Sequence, residues 1–225
     1  MVPLTVVFDL DGTLVDTAPD LIDTLNVVFS REGLPPVAYT AARDLIGGGA
    51  RRMIENGLKL TGRAVPGAEI ERMFDDFIAY YADHIADRSQ PFPGLDPALG
   101  HLAARGCRFA VCTNKLERLS RLLLDALGLT RRFAAICGQD TFGIQKPDPE
   151  ILRRTIQAAG GEVRHAIMVG DSATDIATAR AAGIPVVAVD FGYSDTPVAE
   201  LRPDRLISHF DELVAAILHL APRAR

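Results

Sequence analysis

Apolar residues in this chain come in short dense runs, and the first, Leu4 to Phe8, stops at an acidic turn, Asp9-Leu10-Asp11-Gly12-Thr13. A run this short and unbroken predicts a strand buried on both faces, as in a parallel sheet covered by helices. Similar runs recur at Phe109–Cys112, Phe133–Cys137, Ala166–Val169, Pro185–Val189 and Leu206–Ile207. Between them the spacing turns helical. Leu116–Leu127 carries apolar positions at 116, 119, 122, 123, 126 and 127 and stops at Gly128. A second helix is expected from Pro149, with Asp148 as its N-cap, to Gly160, followed by Thr174–Ala182 before Gly183 and by Phe210–Leu220. Strand alternating with helix predicts the α/β class: a doubly wound parallel sheet with a Rossmann-like core.

One connection breaks the alternation. Asp16 to Gly106 separates the first two strands, far beyond the roughly 2 to 6 residues of an ordinary βα loop. The whole stretch reads as helical. Thr17 and Pro19 open a helix with Leu21, Leu25, Val28 and Phe29 on one face and Gly33 past its end. Ile70, Met73, Phe74, Phe77, Ile78 and Tyr81 mark a stronger amphipathic helix. The expected organisation is an α-helical cap domain, 17–91, inserted into a core formed by 1–16 and 92–225, with Pro91-Phe92-Pro93-Gly94 as a stiff return linker. A segment anchored there is placed to act as a lid.

Composition narrows the class without naming a chemistry. The 225 residues, 48% hydrophobic and 24% charged, suit a globular protein able to bury a core without staples. A net charge of −5 without a basic stripe argues against nucleic acid or an acidic membrane as partner. Cys107, Cys112 and Cys137 lack C-x-x-C spacing and read as reduced thiols; a Cys107–Cys112 disulfide is the alternative. Neither a signal peptide nor a membrane helix is apparent, so the cytoplasm is the expected location, with a monomer or homodimer as the assembly.

The strand ends carry the chemistry, because ligands of open α/β sheets bind outside the carboxyl ends of the strands. Asp9 and Asp11 end the first strand, Thr113 and Asn114 the second; Lys146 follows the third, and Gly170-Asp171 with Asp175 follow the fourth. Paired carboxylates demand a cation, and a hard divalent ion such as Mg2+ fits oxygen ligands. The set suits phosphoryl transfer, which needs charge stabilisation around the transferring group. Asp9 is the candidate nucleophile and Asp11 the general acid and base. Asp171, with Asp9 and the backbone carbonyl of Asp11, would hold Mg2+, while Lys146, Thr113 and Asn114 would hold the phosphoryl oxygens. Asp175 reads equally as support for that site or as a helix-capping acid. An EF-hand is excluded by the position of Gly12, and Gly47-Gly48-Gly49 lacks the ending of a phosphate loop.

Taken in order, Asp9-Leu10-Asp11-Gly12-Thr13, Thr113-Asn114, Lys146-Pro147 and Gly170-Asp171 through Asp175 resemble the four motifs of the haloacid dehalogenase superfamily. The second aspartate is similar to its phosphatase and phosphomutase branch, and the helical insertion to its first type of cap. Asp16-Thr17-Ala18-Pro19-Asp20-Leu21, Thr113-Asn114-Lys115 and Phe191-Gly192-Tyr193 resemble the family's 2-phosphoglycolate phosphatases. That resemblance implies hydrolysis of this small phosphate ester to glycolate with Mg2+. It also puts a substrate-specificity loop at Gly47–Gly49, where Arg51 or Arg52 would pair with a substrate carboxylate. A phosphosugar mutase or a phosphatase of other small esters stays open. From another class, so does a receiver-type phospho-accepting domain, opposed by Asp11 and the lid.

Overall fold

The computed structural model describes residues 3–43 and 45–221. In chain order, strand β1 (Thr5–Phe8) is followed by a two-residue strand β2 (Val15–Asp16), helices α1 (Ala18–Arg31), α2 (Tyr39–Arg43), α3 (Ala50–Leu60) and α4 (Gly67–Asp83), and a second short strand β3 (Gln90–Pro91). Strand and helix then alternate through α5 (Leu95–Ala103), β4 (Arg108–Cys112), α6 (Glu117–Ala126), β5 (Ala135–Cys137), α7 (Pro149–Ala158), β6 (Ala166–Gly170), α8 (Ala173–Ala182) and β7 (Val186–Val189). Strand β8 (Arg205–Ile207) and helix α9 (Leu213–Leu220) follow, the latter preceded by a tighter turn at Phe210–Glu212.

The large sheet has the order β5-β4-β1-β6-β7-β8, and its neighbours run parallel. This is the doubly wound order, reversing direction at β1, where such folds bind ligands. Alternation explains the unbroken apolar runs. Val6, Phe8, Val111, Ile167 and Val169 face the cluster built with α5, α6 and α9, while Val7, Ala110, Cys112 and Met168 face the cluster built with α7 and α8. Phe8 lies level with Val111 and Val169, so β1, β4 and β6 present their ends at one edge. The cysteines are free thiols, Cys112 beside Cys137 across adjacent strands. No described helix is long and apolar enough to cross a membrane.

The connection from 16 to 106 is not helical throughout, and this corrects the sequence reading. Its two ends pair as an antiparallel ladder, Val15 opposite Pro91 and Asp16 opposite Gln90. Strands of two residues leave no periodicity to read. Helices α1, α3 and α4 close around their own cluster, including Leu25, Phe29, Met53, Phe77 and Tyr81, which Leu119 and Tyr193 seal from the sheet side. The expected faces of α1 and α4 are buried as their spacing required: Leu21, Leu25, Val28 and Phe29 on α1, and Met73, Phe77 and Tyr81 on α4.

Candidate active site

Backbone ladders deliver the site residues. The Asp9 amide donates to the Val169 carbonyl at 2.9 Å and so extends β1 along β6, while the next residues turn sharply, Leu14 and Val15 both donating to the Leu10 carbonyl. Gly12 makes the turn possible: its φ of +83° is the left-handed region, and a side chain there would strike the Asp171 carboxylate. Thr113 and Asn114 follow β4. Asn114 brackets the loop after β5, accepting from the Lys146 amide at 2.8 Å and donating to the Lys146 carbonyl at 3.2 Å. Its amide therefore positions Lys146.

Lys146 reaches into the acidic edge. Its Nζ lies 2.8 Å from Asp9 Oδ1 and 2.6 Å from Asp175 Oδ1, and its side chain is almost fully buried. Burial opposes the ammonium charge, but Asp175 and Asp9 overcome it and hold Lys146 above the ordinary lysine range. Asp9, Asp171 and Asp175 offer oxygens within 4.8 Å of one another. Burial pushes Asp9 up to about 6 against the pull of Lys146, with Asp175 adding to the rise. Burial and then the charges of Asp175 and Asp9 push Asp171 up to about 8, against hydrogen bonds from the Tyr193 amide and the Thr13 hydroxyl.

One lysine cannot neutralise this set. The buried Asp9 Oδ1 has Lys146 beside it as a charge but no aligned hydrogen bond, a costly arrangement. A divalent cation coordinated by oxygen fits these donors. Asp9, Asp171 and Asp175 together offer the oxygens that could hold it, Asp175 being the one of the three that also contacts Lys146 and caps a helix. Asp175 Oδ1 accepts from Lys146, and Oδ2 accepts from the Ser172 hydroxyl at 2.7 Å and the Ser172 amide at 3.1 Å, closing a capping box on α8. The two readings of Asp175 therefore coexist in one side chain.

Asp11 turns away from this cluster. Both its oxygens accept from Lys115 Nζ, at 2.9 and 3.2 Å, and the same ammonium donates to the Tyr81 hydroxyl at 2.9 Å. Asp9, Asp11, Thr113, Asn114 and Lys115 line a cavity of about 40 Å³ between the sheet edge and α3 and α4. Its remaining walls are mostly apolar, including Leu21, Met53, Phe74, Phe77 and Ile78. The volume exceeds what one water needs. One loop thus carries two carboxylates with different surroundings, Asp9 among acids and Lys146, Asp11 beneath a lysine and a tyrosine.

This arrangement has known relatives. A family model described as haloacid dehalogenase-like hydrolase matches residues 6–189. The chain belongs to that family. A phosphoglycolate phosphatase of Mesorhizobium japonicum is 50% identical over 219 residues, covering 97% of this chain and 96% of that one. Another, of Agrobacterium fabrum, is 46% identical over 211 residues, covering 94% and 91%. A crystal structure described as a "predicted phosphoglycolate phosphatase" from Haemophilus somnus superposes with a TM-score of 0.88 at 28% identity, covering 95% of this chain and 97% of that one. Among the haloacid dehalogenase-like hydrolases the chain falls with the phosphatases, and the receiver-type alternative is set aside, since the chain is a hydrolase.

Within this hydrolase the structure brings Asp9, Asp11, Thr113, Asn114, Lys146, Asp171 and Asp175 to one edge, but not Arg51. The Arg51 guanidinium forks onto the Glu71 carboxylate at 2.5 and 2.6 Å on the outer surface and lies over the Phe74 ring. Glu71 is twenty positions away on another helix, a pairing no local pattern announces. Arg52 borders a different cleft, with Ser172 and Thr174.

Three residues escaped the sequence reading as individuals. Lys115 is one. Asp20, buried on α1, accepts from the amides of Arg88 and Ser89 and from the Ser89 hydroxyl at 2.6 Å, latching the end of the helical segment to its beginning. Tyr193 donates its hydroxyl to Asp16, accepts from the Ala18 amide at 3.0 Å, and donates its own amide to Asp171 at 2.8 Å. It joins the acidic cluster to the base of α1. All three fall inside the outer segments of the family resemblance, which was the available signal.

Proposed function

We propose that this hydrolase is a Mg2+-dependent phosphomonoesterase that cleaves 2-phosphoglycolate to glycolate and phosphate through an aspartyl-phosphate on Asp9. The observation that carries the reading is the split environment of Asp9 and Asp11 within one turn. Residues 17–91 serve as the cap and 1–16 with 92–225 as the catalytic core, a division supported by the separate apolar cluster of the helices. The names borne by its relatives support the substrate.

Asp9, at the tip of β1, attacks phosphorus; the bond to the ester oxygen breaks, and Asp11 supplies that oxygen's proton. Asp11 then takes a proton from water, which attacks the same phosphorus and returns Asp9 as a carboxylate. Lys146 holds the Asp9 carboxylate in place and opposes the charge on the transferring oxygens. Mg2+, held by Asp9 and Asp171, supplies charge neutralisation for the phosphoryl group and the acids around it.

The substrate is tested by comparing kcat/KM across phosphate esters. A value for 2-phosphoglycolate at least roughly 100-fold above those for hexose phosphates is expected, the lower end of what pocket discrimination between small substrates supplies. A hexose phosphate as the better substrate would overturn the substrate assignment.

The metal is tested without turnover. Asp9 and Asp171 both titrate above their ordinary range in the folded chain, to about 6 and about 8. The folded state therefore binds more protons than the unfolded state in this window, and metal-free stability falls as pH rises from about 4 to about 8. Mg2+ favours the ionised acids and reverses the loss. Its effect on Tm is expected to be small at pH 5 and to reach roughly 5–10 °C at pH 8, with Mg2+ about 100-fold above its Kd. Equal shifts at both pH values would contradict the assignment of these acids to the metal.

A further inference from the structure

We propose that Lys115, with Tyr81 beside it, is the receptor for the substrate's carboxylate, releasing Asp11 as it takes up that group. The proposal deepens the phosphoglycolate reading and rests on it.

Three observations converge. Among the described residues lining the catalytic cavity, Lys115 is the sole cation, and its side chain is only 5% exposed. A buried ammonium is tolerated only with partners, and its three donors are here spent on the two oxygens of Asp11 and the hydroxyl of Tyr81. The surrounding walls, Leu21, Met53, Phe74, Phe77 and Ile78, offer a carboxylate nothing else of opposite charge. The arginine expected to do so, Arg51, is committed to Glu71 outside the cavity.

The chemistry of Asp11 then requires an exchange. Both oxygens of Asp11 are held by Lys115, so to serve the leaving oxygen Asp11 must turn from that ammonium to the ester. Lys115 would be left buried without a counter-charge. In 2-phosphoglycolate a single methylene separates the leaving oxygen from a carboxylate, so the substrate brings a replacement anion within reach of the position Asp11 vacates. Lys115 follows β4 and Tyr81 belongs to α4. Lys115 and Tyr81 already touch at 2.9 Å, so the sheet edge and the helical segment present the carboxylate with one receptor.

The test uses the Asp9→Asn protein with Mg2+, which binds without turning over, titrated by calorimetry with 2-phosphoglycolate and with ethyl phosphate, in which a methyl replaces the carboxylate. The parent is expected to favour 2-phosphoglycolate. Adding Lys115→Met should reduce that preference roughly 30-fold or more, the scale of a lost buried charge partner, and adding Tyr81→Phe, which keeps the ring, roughly 3- to 10-fold. A preference that survives both variants, or an equal weakening of both ligands, overturns the assignment of Lys115. Should the methionine variant not fold, Tyr81→Phe decides alone. A parent with no preference at all instead overturns the phosphoglycolate reading, and the receptor with it.

Discussion

Asp9→Asn is expected to lower kcat for every phosphate ester by roughly four orders of magnitude or more, the scale of removing a covalent nucleophile. Asparagine keeps the shape of the side chain and leaves untouched the backbone bond from position 9 to the Val169 carbonyl, so the strand tip stays in register. It removes a charge that burial disfavours, since the Asp9 carboxyl is pushed up to about 6. In a chelator at pH 8 the melting midpoint should therefore hold or rise while activity disappears. Mass spectrometry of rapidly quenched reactions provides the second readout: a phosphoryl adduct on the wild-type chain and none on the variant. Turnover retained near the wild-type rate would remove Asp9 from the nucleophile's role.

Lys146→Ala is expected to damage stability and catalysis together. Its ammonium is the buried cation in direct contact with Asp9 and Asp175, and breaking a buried charge set by deleting one partner costs about 3–5 kcal/mol. Chemical denaturation in a chelator at pH 8 should show that loss, and kcat with Mg2+ should fall by roughly two to three orders of magnitude, as when a preorganised electrostatic group is deleted. The sign with pH is distinctive. As pH falls through the range where Asp9 and Asp171 take up protons, less negative charge is left without its cation, so the stability loss should shrink toward pH 5. A loss of equal size at both pH values would assign Lys146 to packing. Lys146→Arg is not expected to rescue it, because a guanidinium fork is bulkier than the slot between Asp9 and Asp175 and presents different donor geometry.

The core fold was legible because each central strand is buried on both faces, which forces dense apolar composition, and because each strand stops where polar residues begin. Asp9, Thr113, Lys146 and Asp171 could be placed at one edge on that basis alone. The amphipathic faces of α1 and α4 were legible from spacing. What escaped depends on contacts between distant parts of the chain. Nothing near Lys115 announces that it will meet Asp11 and Tyr81, and nothing near Tyr193 announces Asp16. The acid at 20 looks like any helix-start acid until Ser89 arrives beside it. Arg51, which the family resemblance put beside a substrate carboxylate, pairs with Glu71 twenty positions on, a contact no local pattern announces.

The paired strands β2 and β3 set the two ends of the long helical segment one ladder spacing apart. Chain entropy is thereby decoupled from what lies between. Closing a loop whose ends are already clamped costs only about 0.6 kcal/mol more for each doubling of its length, so the sheet is nearly indifferent to how much polypeptide emerges at Val15 and returns at Pro91. The acids and the lysine at the sheet edge can stay constant while the material above them is lengthened, shortened or exchanged. The clamp at Val15 and Pro91 thus separates the geometry of the sheet edge from the length of chain that passes between them.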